Sequence, residues 1–534
     1  MKLRLSLTIS GGVSLGAYEA GVLAALLIAL RDLTAGDDPP VRVDVIGGSS
    51  AGSITGLLAA RCLLEGIDPL YVMREAWVRR ASLDAMRSRR VDAPLTMRPL
   101  RDMAIDLLDP RAPDGSPVHR VDTRQDVPIM MVMALASLRS LHYRMPSLAK
   151  RTNVSASTSL DWGTFEFTPG QAAPELLEPV DGSPVDFALA SAANPLAFPP
   201  RLLDRRREEA EYQEHGIANF PDSGYLWYTD GGMLDSQPLT RTLELANVAD
   251  RDPHFDGVRL GLLVHPHTTG APKGDAWADP TNPPTWLATL LRARDRQNAQ
   301  TLYDDFRALE DTNARLEWRR RLFAEIGPAL DALDGPEADA LRDALASALG
   351  VIAAQHDAMR ARRADPADAA ALSIDRRRPL SDLLHDAVSH IAGISGKRPI
   401  AVEVISPMVL PEARTTPVAR MMAGEFMFGF GGFLDEELRQ SDFDLGYRST
   451  LEWIDGGGFR AHGLPDALDE AALAAARDAY TPGRTWMDRG NERFRSLSRS
   501  QQVALAPLGW QLARVFWRDL RRPRPQDTAP KGTP

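Results

Sequence analysis

Asp44-Val45-Ile46-Gly47-Gly48-Ser49-Ser50-Ala51-Gly52 is the stretch on which the reading of this chain turns. An apolar run leads into Gly47, and Ser53 to Leu64 carries a helical pattern after it. Gly48-x-Ser50-x-Gly52 between a strand and a helix has the form of a nucleophile elbow, with the serine hydroxyl held out at a sharp turn. Gly48 and Gly52 suit that turn because backbone passes close to backbone, and a Cβ at either place would clash. The helix that follows aims its positive N-terminus at Ser50, which favours a developing negative charge. Taken alone, the pattern is equally that of a tight glycine turn.

Upstream, Leu3 to Ile9 alternates as a strand should and stops at Ser10-Gly11-Gly12. Leu15 to Leu30 is apolar nearly all round, the mark of a helix buried on a sheet. The glycine loop between them is no P-loop, because Ala17 follows Gly16 where lysine is required. Nor does Gly11-Gly12-Val13-Ser14-Leu15-Gly16 supply the dinucleotide fingerprint, so no nucleotide is expected. What remains is a set of backbone N–H groups at a helix N-terminus, a ready anion site. Strand, helix, strand, helix in this order implies a parallel sheet with right-handed crossovers. The loop and Ser50 then share the carboxyl ends of their strands, where open α/β sheets bind ligands.

Composition narrows the class. The chain has 534 residues, 44% of them hydrophobic and 25% charged, as in ordinary globular proteins. A net charge of -10 argues against a nucleic-acid partner. One cysteine, Cys62, excludes an internal disulfide and a multi-cysteine metal site, and its place on the helix after Ser50 suits a core residue. No metal or cofactor is expected. The longest apolar run is read as Val22 to Leu30, too short for a membrane span, and no signal-peptide pattern opens the chain. A cytoplasmic protein, at most peripheral to a membrane, is the expectation.

Downstream, Ser82 to Val121 reads as helix fragments and loop, with a basic cluster at Arg87 to Arg90 that suits a solvated face or anionic head groups. Pro128 to Leu138 is a continuous apolar run and reads as a central strand. Val154 to Phe167 adds one strand or two, and Asp186 to Ala193 a short helix breaking into Asn194-Pro195-Leu196-Ala197-Phe198-Pro199-Pro200. Arg201 to Asn219 reads as a charged, exposed connection. Tyr225 to Thr229 is a strand by its aromatics, ending at Asp230-Gly231-Gly232. A carboxylate there can face a cleft, although an Asx-type turn fits the tripeptide as well. Asp455-Gly456-Gly457 repeats it after a helical stretch, where glycine simply ends the helix. Val258 to His265 is a further strand, roughly 271–397 a helical insertion, and Pro399 to Ile405 a returning strand. Met421 to Phe433, apolar and glycine-rich, suits either core packing or an acyl-pocket lining. From Pro523 the tail is polar and disorder is expected.

A glycine loop, Gly-x-Ser-x-Gly about forty residues later and a strand-ending Asp-Gly-Gly much later, in that order, resemble the patatin-like phospholipase family. The resemblance covers about residues 3–267 and the return near 398–454. It implies a three-layer α/β/α fold with a mainly parallel central sheet, here carrying a helical insertion. With the residue pattern outside that coverage, the expected division is a catalytic core at 1–270, a helical insertion at 271–397, a return segment packing on the core at 398–460 and a C-terminal helical region with its tail at 461–534. It further implies hydrolysis of lipid acyl esters without a metal, Ser50 as nucleophile, Asp230 as base, and Gly11, Gly12 and Val13 at the oxyanion loop. Ala193-Asn194-Pro195 with Phe198-Pro199-Pro200 resembles the family's proline-rich segment. This chain departs from the pattern at Val13, where a third glycine is common, at Leu15 in place of a basic residue, and at Ser236 in place of an asparagine.

Two other readings stand beside it. An α/β-hydrolase triad would use Ser50, Asp230 and either His265 or His267, in that chain order. A non-catalytic lipid-binding or interaction protein would keep the fold and work through the insertion.

Overall fold

The computed structural model describes residues 2–36, 38–88, 93–146, 153–214, 216–217, 219–250, 257–267, 286–360, 378–425 and 429–483. One sheet organises it: β1 (Leu3–Ile9), β2 (Val41–Gly48), β3 (Ile129–Pro146), β4 (Asn153–Phe167), β5 (Arg201–Asp204), β6 (Tyr225–Asp230), β7 (Val258–Val264) and β8 (Ile400–Ile405). The order is β5-β6-β3-β2-β1-β7-β8, with β4 also on β3. The run β3-β2-β1-β7-β8 is parallel, while β4 and β6 pair antiparallel with β3, and β5 with β6. The fold is therefore a mixed, mainly parallel sheet between helical layers, consistent with the expected α/β/α class.

Two faces are covered differently. Leu5, Leu7 and Ile9 share a core with α1 (Gly16–Leu30), α2 (Ala51–Glu65) and the helices Glu436–Asp455 and Asp466–Ala479. On the other face Leu239 and Leu243 of helix Leu239–Ala249 pack with Leu263, Ile400 and Leu302 of helix Trp286–Asp331. α1 is buried along its whole length, Tyr18 and Glu19 included, as its otherwise apolar surface requires. With its approach it makes an 18-residue stretch, Val13–Leu30, long and apolar enough to cross a membrane, yet 94% buried inside the protein. Counting only Val22 to Leu30 as the apolar run understates it, since the stretch qualifies from Val13 onward despite Tyr18 and Glu19. Towards the amino ends of the central strands, Arg259 of β7 is buried between Asp44 of β2 and Asp250, with Nη2–Oδ2 to Asp44 at 2.9 Å and Nε–Oδ1 to Asp250 at 3.2 Å.

Several boundaries differ from the sequence reading. β3 runs on to Pro146, and Val154 to Phe167 lies within one strand, β4. Arg201 to Asn219 is not a charged, exposed connection. It contains the edge strand β5, and Arg205 just beyond it is buried. Its guanidinium lies over the rings of Phe187, Tyr212 and Tyr228 at 4.8, 5.2 and 5.8 Å and donates to the Trp162 carbonyl at 2.9 Å. Ring faces, a carbonyl and the nearby Asp161 carboxylate replace water around that charge. Between β7 and β8 the described helices are Trp286–Asp331, Pro336–Arg360 and Leu380–Ile391. Arg89, Arg90, Phe428, the Asp365-Pro366 break and the tail from 484 onward lie outside the described residues.

Candidate active site

β3 acts as the ruler that assembles the site. Gly48 at the end of β2 pairs with Met133, and Asp230 at the end of β6 pairs with Leu135, two residues further along. β4 pairs with both Met133 and Leu135, so β2 and β6 share the other side of β3. The start of the β6 pairing therefore follows directly on the end of β2, where the chain turns through Ser50. Ser50 Oγ donates to Asp230 Oδ2 at 3.1 Å. Both residues are nearly buried, 4% and 3% exposed.

The elbow is tight for a local reason. A Cβ on Gly52 would sit 2.3 Å from the Ile9 carbonyl oxygen, and one on Gly48 would sit 2.6 Å from the Gly52 oxygen. Glycine at both places lets β1, β2 and α2 meet without a gap. Ser50 itself has φ 52° and ψ -122°, a strained conformation for a residue with a Cβ, costing about 1–3 kcal/mol. The Ser50 N–H donates to Ser191 Oγ at 3.0 Å, and Ser53 Oγ donates to the same oxygen at 2.8 Å. Ser191 ends the helix Pro184–Ser191, and nothing in its sequence context marks it.

Asp230 is held from several sides. Its Oδ1 accepts the Gly232 N–H at 2.8 Å, Asn194 Nδ2 reaches Oδ2 at 3.3 Å, and its own N–H donates to the Ala193 carbonyl at 3.0 Å. Asn194 thus places the Ala193-Asn194-Pro195 turn against the carboxylate. The next segment also reaches back to the elbow: Ser49 Oγ donates to the Asp235 carbonyl at 2.8 Å. The Asp455-Gly456-Gly457 copy does end a helix, Glu436–Asp455, as expected.

The glycine loop lies across from Ser50; a Cβ on Gly11 would be 3.1 Å from Ser50 Cβ. Its three expected donors are not equivalent. The Gly11 N–H is already bonded to the Ser236 carbonyl at 2.8 Å, as the chain continues past the end of β1. Gly12 and Val13 show no N–H bond to another described residue. Val13 has φ 54°, the left-handed region that a third glycine would occupy without strain. Leu15 is buried just before α1.

The histidines stand elsewhere. His265 Nδ1 lies 2.9 Å from Ser10 Oγ, and burial, then the neighbouring His267, lowers its pKa to about 3. His267 Nδ1 faces Glu425 Oε2 at 3.5 Å. Cys62 is buried, and burial pushes its thiol pKa up. Among the described residues no three His, Cys, Asp or Glu side chains are grouped to hold a metal ion. A cavity of about 510 Å³ lies behind the Asp230 segment, lined by Asp161, Arg205, Tyr212, Asp235 and Asp305 among others; neither Ser50 nor Asp230 lines it. Burial, then the charge of Asp305, pushes the Asp235 carboxyl there up to about 7.

Comparison with known proteins bears on these residues. No curated protein matches the chain. Among solved structures, the crystal structure of VipD from Legionella pneumophila matches at 11% identity, covering 97% of this chain and 90% of that one. Its TM-score of 0.19 is too low to carry an argument. A family model described as patatin-like phospholipase, by contrast, matches residues 7–243, which hold the glycine loop, the elbow and the Asp-Gly-Gly strand end.

Proposed function

We propose that this chain is a serine acyl hydrolase that cleaves acyl esters of phospholipids or lysophospholipids at a membrane surface, using Ser50 and Asp230 as a dyad. The observation that carries the reading is the direct Ser50 Oγ–Asp230 Oδ2 hydrogen bond of 3.1 Å, with no histidine between them. A serine hydroxyl becomes a useful nucleophile only when a base takes its proton. Asp230 accepts that proton while Ser50 Oγ bonds to the ester carbonyl carbon. The carbonyl oxygen becomes an oxyanion, held by the Gly12 and Val13 N–H groups and favoured by the N-terminus of α2. A donor of this kind is typically worth about 3–4 kcal/mol of barrier. Collapse breaks the ester C–O bond, and the Asp230 proton passes to the departing alkoxide. Water then gives its proton to Asp230, attacks the acyl-serine and releases the fatty acid, returning the proton to Ser50. The scheme calls on no metal, cofactor or nucleotide. His265, neutral and bonded to Ser10, supports Ser10 rather than either member of the dyad. Within this reading residues 1–270 with the return at 398–460 form the working unit, 271–397 is an insertion, and 461–534 is a C-terminal region.

The test is lipid mass spectrometry of mixed vesicles incubated with wild type, Ser50→Ala and Asp230→Asn. Wild type is expected to release fatty acid and both variants to lose that release while keeping their circular dichroism. Release by folded Ser50→Ala at the wild-type rate would overturn the proposal.

A further inference from the structure

The oxyanion loop is bonded to a part of the chain more than 400 residues away, outside the 7–243 region that the family model matches. Ser14, directly after Val13, is fully buried. Its N–H donates to the Gly429 carbonyl at 2.9 Å, its hydroxyl donates to the same oxygen, and the Gly432 N–H donates to Ser14 Oγ at 3.0 Å. The approach is close throughout. A Cβ on Gly432 would lie 2.7 Å from Ser14 Oγ, one on Gly424 would lie 3.0 Å from it, and one on Gly429 would lie 3.3 Å from the Gly12 carbonyl oxygen. Gly429 has φ 80°, so the backbone there turns in a way that leaves its carbonyl aimed at Ser14.

That segment is itself fixed from behind by helix Glu436–Asp455. The buried Asp442 carboxylate accepts the Gly424 N–H at 2.8 Å and also the Ala423 N–H. The buried Arg439 donates to the Gly432 carbonyl at 3.0 Å and to the Val78 carbonyl at 2.7 Å. The helix in turn lies directly on α1. A Cβ on Gly21 would sit 2.0 Å from the Phe443 oxygen, and one on Gly446 the same distance from the Tyr18 oxygen. Two backbone elements therefore grip the loop from opposite ends: α1 continues it, and the Gly429–Gly432 backbone clasps its first buried hydroxyl.

We propose that Ser14 is a positioning residue for the acyl transfer. Its hydroxyl bridge between the Gly429 carbonyl and the Gly432 N–H holds Val13 in its left-handed conformation, so that the Gly12 and Val13 N–H groups face the oxyanion. This rests on the hydrolase reading above. Where a third glycine would let the loop adopt that shape freely, this chain has a valine and supplies the constraint from the return segment. Ser14 touches no reacting atom; it acts through Val13.

The test uses the full-length chain and two readouts: steady-state hydrolysis of a short soluble p-nitrophenyl ester, and the rate at which a fluorophosphonate phosphonylates Ser50. Phosphonylation builds an oxygen-rich centre at the position of the tetrahedral intermediate, so it senses the same N–H groups. Ser14→Ala is expected to lower kcat at least about tenfold, short of the roughly 100- to 1,000-fold of losing a donor outright. KM should stay within about twofold and phosphonylation should slow in parallel. Asp442→Asn, which loosens the clasp from behind without touching Ser14, is expected to act in the same direction and more weakly. If Ser14→Ala does not fold, Asp442→Asn decides alone. Either folded variant reacting at the wild-type rate in both assays overturns the inference. So does a loss confined to KM, which would make the segment a substrate-binding wall instead. Wild type that is not labelled at Ser50 would sink the hydrolase reading itself, a result distinct from labelled wild type with unaffected variants.

Discussion

Glu19 offers a sharp test of how the oxyanion loop is supported from below. It is completely buried in α1, neither carboxyl oxygen has a hydrogen-bond partner among the described residues, and a Cβ on Gly12 would come within 2.8 Å of its Oε1. Burial alone holds its pKa well above the ordinary 4.5, so the folded protein carries it as the neutral acid. The unfolded chain ionises it above 4.5 and then binds fewer protons than the folded state. Stability must therefore fall as pH rises from 4.5 towards the raised folded value, by about 1.4 kcal/mol per pH unit. The loss grows with pH until the folded group itself ionises. Glu19→Gln removes it, because glutamine ionises in neither state. Against this stands the amide's own burial without partners, about 1–3 kcal/mol at every pH. The variant should thus be no more stable than wild type at about pH 4.5, and should gain on it steadily as pH rises above 4.5. Urea unfolding followed by circular dichroism at several pH values measures the difference directly. A difference that does not change with pH would mean that Glu19 is ionised in the fold, and the reasoning would fail.

Two further perturbations concern buried side chains. Arg259→Met leaves Asp44 and Asp250 with the more distant Arg4, at 3.6 and 3.9 Å, in place of the guanidinium bonded to both, and is expected to destabilise by about 3–5 kcal/mol; an unchanged urea midpoint would show that Arg259 contributes nothing to the network. His265, held neutral with a pKa of about 3, binds fewer protons folded than unfolded between 6.5 and 3, so its contribution makes wild type lose stability as pH falls through that window. His265→Gln should flatten the acid side of the melting-temperature profile and change ester turnover less than about tenfold, since a triad member would cost orders of magnitude. A folded His265→Gln as inactive as Ser50→Ala would restore the triad.

Much of this architecture can be read from local pattern. β1, β2 and the elbow announce themselves because alternation, glycine spacing and helix onset fall within fifty residues and each constrains the next. The β6 end is legible through Tyr225 to Thr229, whose aromatics suit a strand half-covered by neighbours. β5 is not, since four residues flanked by arginines look like loop. Arg205 is buried only because three rings and a carbonyl from distant positions surround it. The inequivalence of Gly11, Gly12 and Val13 is likewise invisible in sequence, because it depends on the Ser236 carbonyl arriving from beyond Asp230. Ser14 and Gly429 are a serine and a glycine without local signature; only the packing of α1 on Glu436–Asp455 brings them together. Met421 to Phe433 is ambiguous in sequence for the same reason. Met421, Met422 and Phe433 are buried in the core, while Phe430 is half-buried against it.

The central claim is that Ser50 and Asp230 act as one unit. Fatty-acid release by Ser50→Ala, Asp230→Asn and the double variant, each shown to be folded, tests it most directly. If the aspartate works only by taking the serine's proton, the double variant is no slower than the slower single one. Losses that multiply in the double variant would mean that the two residues contribute independently, and would contradict the dyad.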